Sequence, residues 1–138
     1  MLGWFGASIG WENSLGLSDE DTAYTRLLAS TKVKQSKYLV HGRLWRQPEW
    51  AIPRETMSLH DYGYMEHNSS QSCPTPKVLA ECWLADDGTF AVVATNHAET
   101  ELVLNVTVDI SEAGATTPRL VRLEKTMPPR SVEVLPVV

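Results

Sequence analysis

The chain of 138 residues lacks the features that mark membrane proteins, disulfide scaffolds and nucleic-acid-binding proteins. No run of about 18 apolar residues occurs, so we expect no membrane-spanning helix and no membrane partner. Its two cysteines, Cys73 and Cys82, are too few for a disulfide framework, and nothing in the sequence decides whether they pair. The net charge of −5 disfavours a nucleic-acid partner, because the phosphate backbone would repel an acidic surface. No signal peptide is recognisable at the N-terminus, and the compartment stays open.

Motifs for catalysis are also missing from the sequence. There is no Gly-rich phosphate loop, no Gly-x-Ser-x-Gly and no His-Glu-x-x-His. The four histidines do not show metal-ligand spacing, and no pattern brings two of the carboxylates together. We therefore expect no metal, no cofactor and no catalytic residue, and we do not expect the chain alone to be an enzyme.

The second half of the chain shows the patterns of hairpin-linked β-strands, near residues 78–85, 89–96 and 101–109. Asp86-Asp87-Gly88 joins the first two runs and is typical of a type I turn followed by a left-handed Gly. In residues 102–108 the even-numbered positions are apolar, which predicts one buried and one wetter face. Shorter strands are predicted near residues 43–48, 120–123 and 131–135.

One long helix is predicted before these strands, near residues 19–41. Ser18 can cap it, three acidic residues suit its N-terminal end, and Gly42 is a natural stop. Residues 48–77 carry four prolines and are predicted to be mostly loop, with one irregular strand near 57–65. The predicted fold is mainly β, an antiparallel β-sandwich over residues 43–138, preceded by a unit of residues 1–42 that holds the helix.

Tryptophan is the unusual feature of the composition, with five residues, four of them among the first fifty. Tryptophan fills cores, and it also stacks on sugar rings. Trp45, Trp50 and Tyr64 are the candidates for exposed aromatic side chains that would bind carbohydrate.

Three segments, in this order, resemble the C-terminal region of multidomain glycoside hydrolases: Lys37–Arg46, Trp83–Asn96 and Pro128–Leu135. In those enzymes the last helix of a (β/α)₈ barrel leads into an antiparallel sandwich that packs on the barrel. The resemblance covers residues 18–138. It implies a non-catalytic accessory domain, since the family's catalytic residues have no matching positions in this sequence.

The resemblance also implies a place for the N-terminal residues. Residues 1–17 correspond to the last barrel strand and its following loop, a face that lines the active site in such barrels. Trp11, Glu12 and Asn13 are therefore further candidates for contact with carbohydrate. A barrel of about 250 residues is absent from the sequence, so the chain is interpreted as a fragment or remnant.

Three functions follow as hypotheses. The first is a structural accessory domain of a glycoside hydrolase-like protein, whose partner is the missing barrel domain. The second is a carbohydrate-binding module. The third is a free-standing interaction domain that binds a protein, or self-associates, through the apolar N-terminal segment. That segment holds Leu2, Trp4, Phe5, Ile9 and Trp11, and the helix adds Tyr24, Leu27, Leu28, Tyr38 and Leu39.

Overall fold

A computed structural model describes residues 18–46, 48, 49, 51, 54–59, 71–112 and 114–138. Within these residues, two helices precede the strands, α1 (Asp19–Lys34) and α2 (Ser36–Leu39). All strand pairs in these ranges are antiparallel, so the mainly β class predicted from the sequence is confirmed. The strands are β1 (Arg43–Leu44), β2 (Arg54–Leu59), β3 (Gln71–Pro76), β4 (Val78–Leu84), β5 (Phe90–Asn96), β6 (Leu102–Asp109), β7 (Leu120–Met127) and β8 (Ser131–Val137).

The described strands form one larger sheet and two hairpins. The larger sheet has the order β1-β4-β5-β8, while β6 pairs with β7 and β2 pairs with β3. The chain leaves the four-stranded sheet after β5, makes the β6–β7 ribbon, and returns to place β8 beside β5. Strand β5 therefore lies inside the sheet, and its residues from Ala91 to Asn96 are all buried.

The first face of the four-stranded sheet packs against the β6–β7 ribbon. The period-2 pattern predicted for β6 is confirmed, since Leu104, Val106 and Val108 are buried whereas Val103 and Asn105 are exposed. Two sheets thus share one core, and a complete sandwich stays a prediction because the second layer consists of two strands in the described ranges. We call this the ribbon-side core; its buried members are Val78, Ala80, Cys82, Val92, Ala94, Leu104, Val106, Val108, Ile110 and Met127.

The second face of the sheet is covered by the two helices. Four of the five apolar residues predicted to form the helical stripe are buried there, and only Leu27 is exposed. The sheet therefore covers the helical part of the predicted apolar surface, whereas Leu2, Trp4, Phe5, Ile9 and Trp11 lie outside the described residues, so association through this segment stays a prediction. We call this the helix-side core; its buried members are Tyr24, Leu28, Tyr38, Leu39, Ala85, Ala91 and Val93.

The prediction of one continuous helix over residues 19–41 was wrong. The start is as expected, because the Thr22 N–H donates to the Ser18 carbonyl oxygen at 2.9 Å. The helix is interrupted at Gln35, whose φ of −107° and ψ of 30° leave the helical range, and the second helix ends at Leu39. The short second helix places Tyr38 and Leu39 among buried residues of the sheet.

Gly42 follows this turn, and its role differs from the one predicted. It is not a left-handed helix cap, because the glycines with positive φ in the described ranges are Gly88 and Gly114. A β-carbon on Gly42 would instead lie 2.5 Å from the carbonyl oxygen of Tyr38 and 2.9 Å from that of Leu84. Glycine is needed because two backbone segments pass too close for a side chain.

The prediction for residues 48–77 needs a second correction. A hairpin, whose strands pair from Arg54↔Pro76 to Leu59↔Gln71, lies where mostly loop was predicted, and residues 60–65 of the predicted irregular strand lie outside the described residues. Strand β3 was predicted as loop because it contains two prolines, which lack an N–H for a central ladder but are tolerated in edge strands. The first strand is also shorter than predicted, and β7 extends to Met127 rather than ending at residue 123.

The turn predicted at Asp86-Asp87-Gly88 is confirmed. Gly88 has φ +82°, and its N–H donates to the Ala85 carbonyl oxygen at 3.0 Å. The Ala85 N–H in turn donates to the Thr89 carbonyl oxygen at 2.9 Å.

Close by in β4, Cys82 is a buried free thiol, and burial raises its pKa to about 11. The thiol is therefore a small apolar core group at neutral pH.

Candidate functional site

Trp45 is the one carbohydrate-binding candidate for which the structure gives side-chain contacts. Trp11, Glu12, Asn13, Trp50 and Tyr64 lie outside the described residues. The local chain path explains the position of Trp45: it directly follows β1, and its backbone N–H donates to the Cys82 carbonyl oxygen at 2.8 Å. Its ring packs against the ribbon-side core.

Trp45 is half-buried and held by several contacts. Its indole Nε1–H donates to the Asp109 carbonyl oxygen at 3.2 Å. The Phe90 ring meets it edge-on, with 5.5 Å between ring centroids. The guanidinium groups of Arg43 and Arg46 lie 5.3 Å and 5.8 Å from the indole centroid, within the range of cation–π attraction. Trp45 is therefore a fixed wall rather than a freely exposed stacking platform.

An open groove of about 550 Å³ lies beside this wall. This volume is in the range of small-molecule clefts in proteins. Its apolar lining comes from Trp45, Leu84, Phe90 and Ile110, with Gly88 at the hairpin end. Its charged lining consists of Arg43, Glu112 and Arg119.

Asp109 fixes the loop that carries two of these charged residues. Its carboxylate forms an ion pair with Arg46 and accepts hydrogen bonds from the N–H groups of Ser111 at 2.9 Å and Arg119 at 3.2 Å. The Arg46 Nη1 also donates to the Ser111 hydroxyl at 3.1 Å. The hydrogen bonds from Ser111, helped by the Arg46 charge, hold the pKa of Asp109 below its usual range. The carboxylate therefore stays ionised at neutral pH and keeps Arg119 at the groove.

A second cluster joins α2 to the β4–β5 hairpin. The Lys37 ammonium lies 2.7 Å from an Asp87 carboxylate oxygen, and the Tyr38 and Thr89 hydroxyls are 3.2 Å apart. Lys37 and Thr89 donate hydrogen bonds to Asp87 and lower its pKa to about 2. Together with the close approach at Gly42, these contacts make what we call the helix–sheet joint.

A third cluster links α1 to the end of β5. The Tyr24 hydroxyl lies 3.1 Å from His97 Nδ1, and the Thr95 hydroxyl lies 2.9 Å from His97 Nε2. Burial, with the Arg130 charge as a smaller cause, lowers the pKa of His97. Burial also raises the pKa of Tyr24 to about 12. Both rings are therefore neutral at neutral pH, which suits a structural link between helix and sheet.

Metal and membrane features are not found in the part of the chain that the structure describes. There, no three His, Cys, Asp or Glu side chains come together in a way that could hold a metal ion. Neither α1 nor α2 combines the length and the apolar character required to cross a membrane.

No family model, curated protein or solved structure matches this chain. The resemblance to the C-terminal region of glycoside hydrolases therefore depends on the sequence motifs alone, and it stays a prediction.

The groove was not predicted as a site. Arg43 and Trp45 come from β1 and the residue after it, Phe90 begins β5, and Glu112 and Arg119 lie between β6 and β7. The pairing of β1 with β4 and the hydrogen bond from Trp45 to Asp109 bring the first segment to the others. A sequence signal did exist in Arg43 and Trp45, which lie two residues apart and so share one face of an extended chain.

Proposed function

We propose that the chain is a non-catalytic accessory domain of a glycoside hydrolase-like protein, rigidly attached through its helix to a (β/α)₈ catalytic domain. The observation that carries this proposal is the helix–sheet joint. Domains connected by exposed, flexible linkers move independently by default, whereas a joint with several contacts holds its two sides in one orientation.

The residues of the joint come from the segments that carry the resemblance. Lys37, Tyr38 and Gly42 belong to the segment Lys37–Arg46, and Asp87 and Thr89 belong to the segment Trp83–Asn96. Two motifs that are separate in the sequence thus meet at one contact. This supports the view that they are kept together to set the angle between a preceding helical domain and the β-layers.

The proposal is tested by the size of the native protein. Antibodies raised against the purified chain would be used to probe an extract of the source organism. A fused barrel of about 250 residues would move the band from 15.4 kDa to about 40 kDa or more. A single band at 15.4 kDa that also elutes as a lone monomer in size-exclusion chromatography would contradict the proposal.

Carbohydrate binding is the second candidate function, and the groove beside Trp45 is the observation that favours it. The groove offers an aromatic wall for the C–H face of a sugar ring and charged groups for its polar substituents. This function is compatible with the first, since an accessory domain can also hold a saccharide.

A further inference from the structure

We infer that the groove beside Trp45 binds an acidic saccharide, in which a uronic-acid carboxylate meets Arg43 and Arg119. The inference rests on the second candidate function and names its ligand class. It starts from the charge of the lining, which combines two guanidinium groups with the single carboxylate of Glu112. The groove lining is thus net positive, although the whole chain carries a net charge of −5.

The arginines around Trp45 have different partners. Arg46 is committed to Asp109 and Ser111 and holds the loop in place. Within the described residues, Arg43 and Arg119 have no carboxylate partner, and both side chains are exposed at the groove. A guanidinium presents a planar fork of donors that matches a carboxylate, so these two groups favour an anion of that shape.

The apolar part of the groove adds a second requirement to the ligand. Trp45 and Phe90 pack edge-on and form one side, while Leu84 and Ile110 are buried beneath. A simple inorganic anion would leave this apolar surface in water, whereas a pyranose ring can cover it with its C–H face. A ring that carries a carboxylate satisfies both parts of the groove at once.

The contacts that orient Trp45 strengthen the case for a preformed site. The indole N–H of Trp45 donates a hydrogen bond to the backbone carbonyl oxygen of Asp109. The side-chain carboxylate of Asp109 accepts a hydrogen bond from the backbone N–H of Arg119. One aspartate therefore positions both the aromatic wall and the loop with the second guanidinium. A ligand that binds such a site loses less free energy in ordering protein groups.

The experiment is isothermal titration of the full chain with D-glucuronate, D-glucose and benzoate at low ionic strength. We expect binding of glucuronate with a dissociation constant on the order of 1 mM, and binding of glucose and of benzoate that is at least about tenfold weaker. Arg43→Gln should weaken glucuronate binding about tenfold. Lys125→Gln, the same charge change on the exposed surface of β7, should leave it unchanged. Thermal melts of both variants verify that they fold.

Each other outcome overturns a defined part of the inference. Equal binding of glucose and glucuronate would overturn the preference for an acid and leave carbohydrate binding in place. Binding of benzoate alone would overturn the saccharide and, with it, the second candidate function. Binding of none of the three, or equal loss in Arg43→Gln and Lys125→Gln, would overturn the site itself.

Discussion

The two cores on either side of the four-stranded sheet are built from different chemistry. The ribbon-side core consists of aliphatic side chains, one methionine and one buried thiol, and it is not tied by a side-chain hydrogen bond from any of its buried members. The helix-side core contains two tyrosines, and each hydroxyl lies within hydrogen-bond distance of a residue next to β5, His97 or Thr89. Apolar burial is non-directional, whereas hydrogen bonds fix distances and angles. The ribbon therefore supplies stability, and the helix side supplies a defined orientation.

The largest effect should come from a charge placed in the ribbon-side core. Leu104 has no exposed surface, so Leu104→Asp would bury an unpaired carboxylate at a cost of several kcal/mol. This is comparable to the whole stability of a domain of this size, so we expect the variant to be unfolded. Far-UV and near-UV circular dichroism during urea titration would measure the loss.

The neighbouring residue is the matched control for this change. Asn105 faces the other side of β6, and its Oδ1 accepts a hydrogen bond from Arg122 Nε at 3.1 Å. Asn105→Asp keeps an acceptor there and should be tolerated. Equal destabilisation of the two variants would show that the ribbon is buried on both sides, and the contrast between the two cores would lose its basis.

A smaller effect is expected where the helix side meets the sheet. Gly42→Ala would place a methyl group against two backbone carbonyl oxygens, which cannot move like the end of a flexible side chain. We expect a loss of about 1–3 kcal/mol in the free energy of unfolding, as is typical of overpacking. Chemical denaturation followed by tryptophan fluorescence would measure it.

Gly88 provides the comparison for this glycine. A β-carbon there would meet nothing within 4 Å, and the only strain is its φ of +82°. Asparagine tolerates left-handed backbone, so Gly88→Asn should change stability by less than Gly42→Ala. If Gly42→Ala and Gly88→Asn lowered the free energy of unfolding equally, the backbone segments around Gly42 would have room for a methyl group, contrary to the distances in the structure.

The smallest effect concerns pH and separates the two cores most directly. The pKa of His97 is lowered in the folded state from its ordinary value of 6.5, so the unfolded state binds the proton more readily. Its contribution to stability is thus fully present above pH 6.5 and is lost as the pH falls through the folded pKa. Unfolding free energies measured at about pH 7.5 and about pH 5.5 should show this decrease.

His97→Gln tests the assignment of the decrease. Glutamine does not titrate, so the difference between the two pH values should shrink in this variant. Val106→Ala weakens the ribbon-side core without touching a titratable group, and it should lower stability equally at both pH values. If His97→Gln kept the full difference in unfolding free energy between the two pH values, another residue would be the cause of the pH dependence.

Much of the β-structure was predictable, because it depends on local patterns. Strands β4, β5 and β6 followed from apolar periodicity, and the hairpin between β4 and β5 followed from the turn residues. Strand β3 was missed because Pro74 and Pro76 disfavour a central strand, while the edge position that tolerates them depends on its partner β2. The break at Gln35 was missed because the residue has ordinary helix propensity, so nothing local in the sequence marks the end of the first helix.

The groove shows the limit of sequence reasoning for this protein. Trp45 was selected for its residue type, but its hydrogen bond to Asp109 and its contact with Phe90 join positions far apart in the chain. No local sequence pattern relates Trp45, Phe90 and Asp109.

The position of β8 beside β5 has a consequence for how fast the chain can fold. Phe90 pairs with Val137 and Asn96 pairs with Ser131, so the central sheet closes only across residues 97–130. Contacts between such distant residues carry a loop-closure cost and slow the search for the native topology. The β6–β7 hairpin closes across residues 110–119 only, and its early formation would bring residue 131 close to residue 96. The ribbon thus shortens the loop that must close, and variants that weaken it should slow refolding more than they speed unfolding.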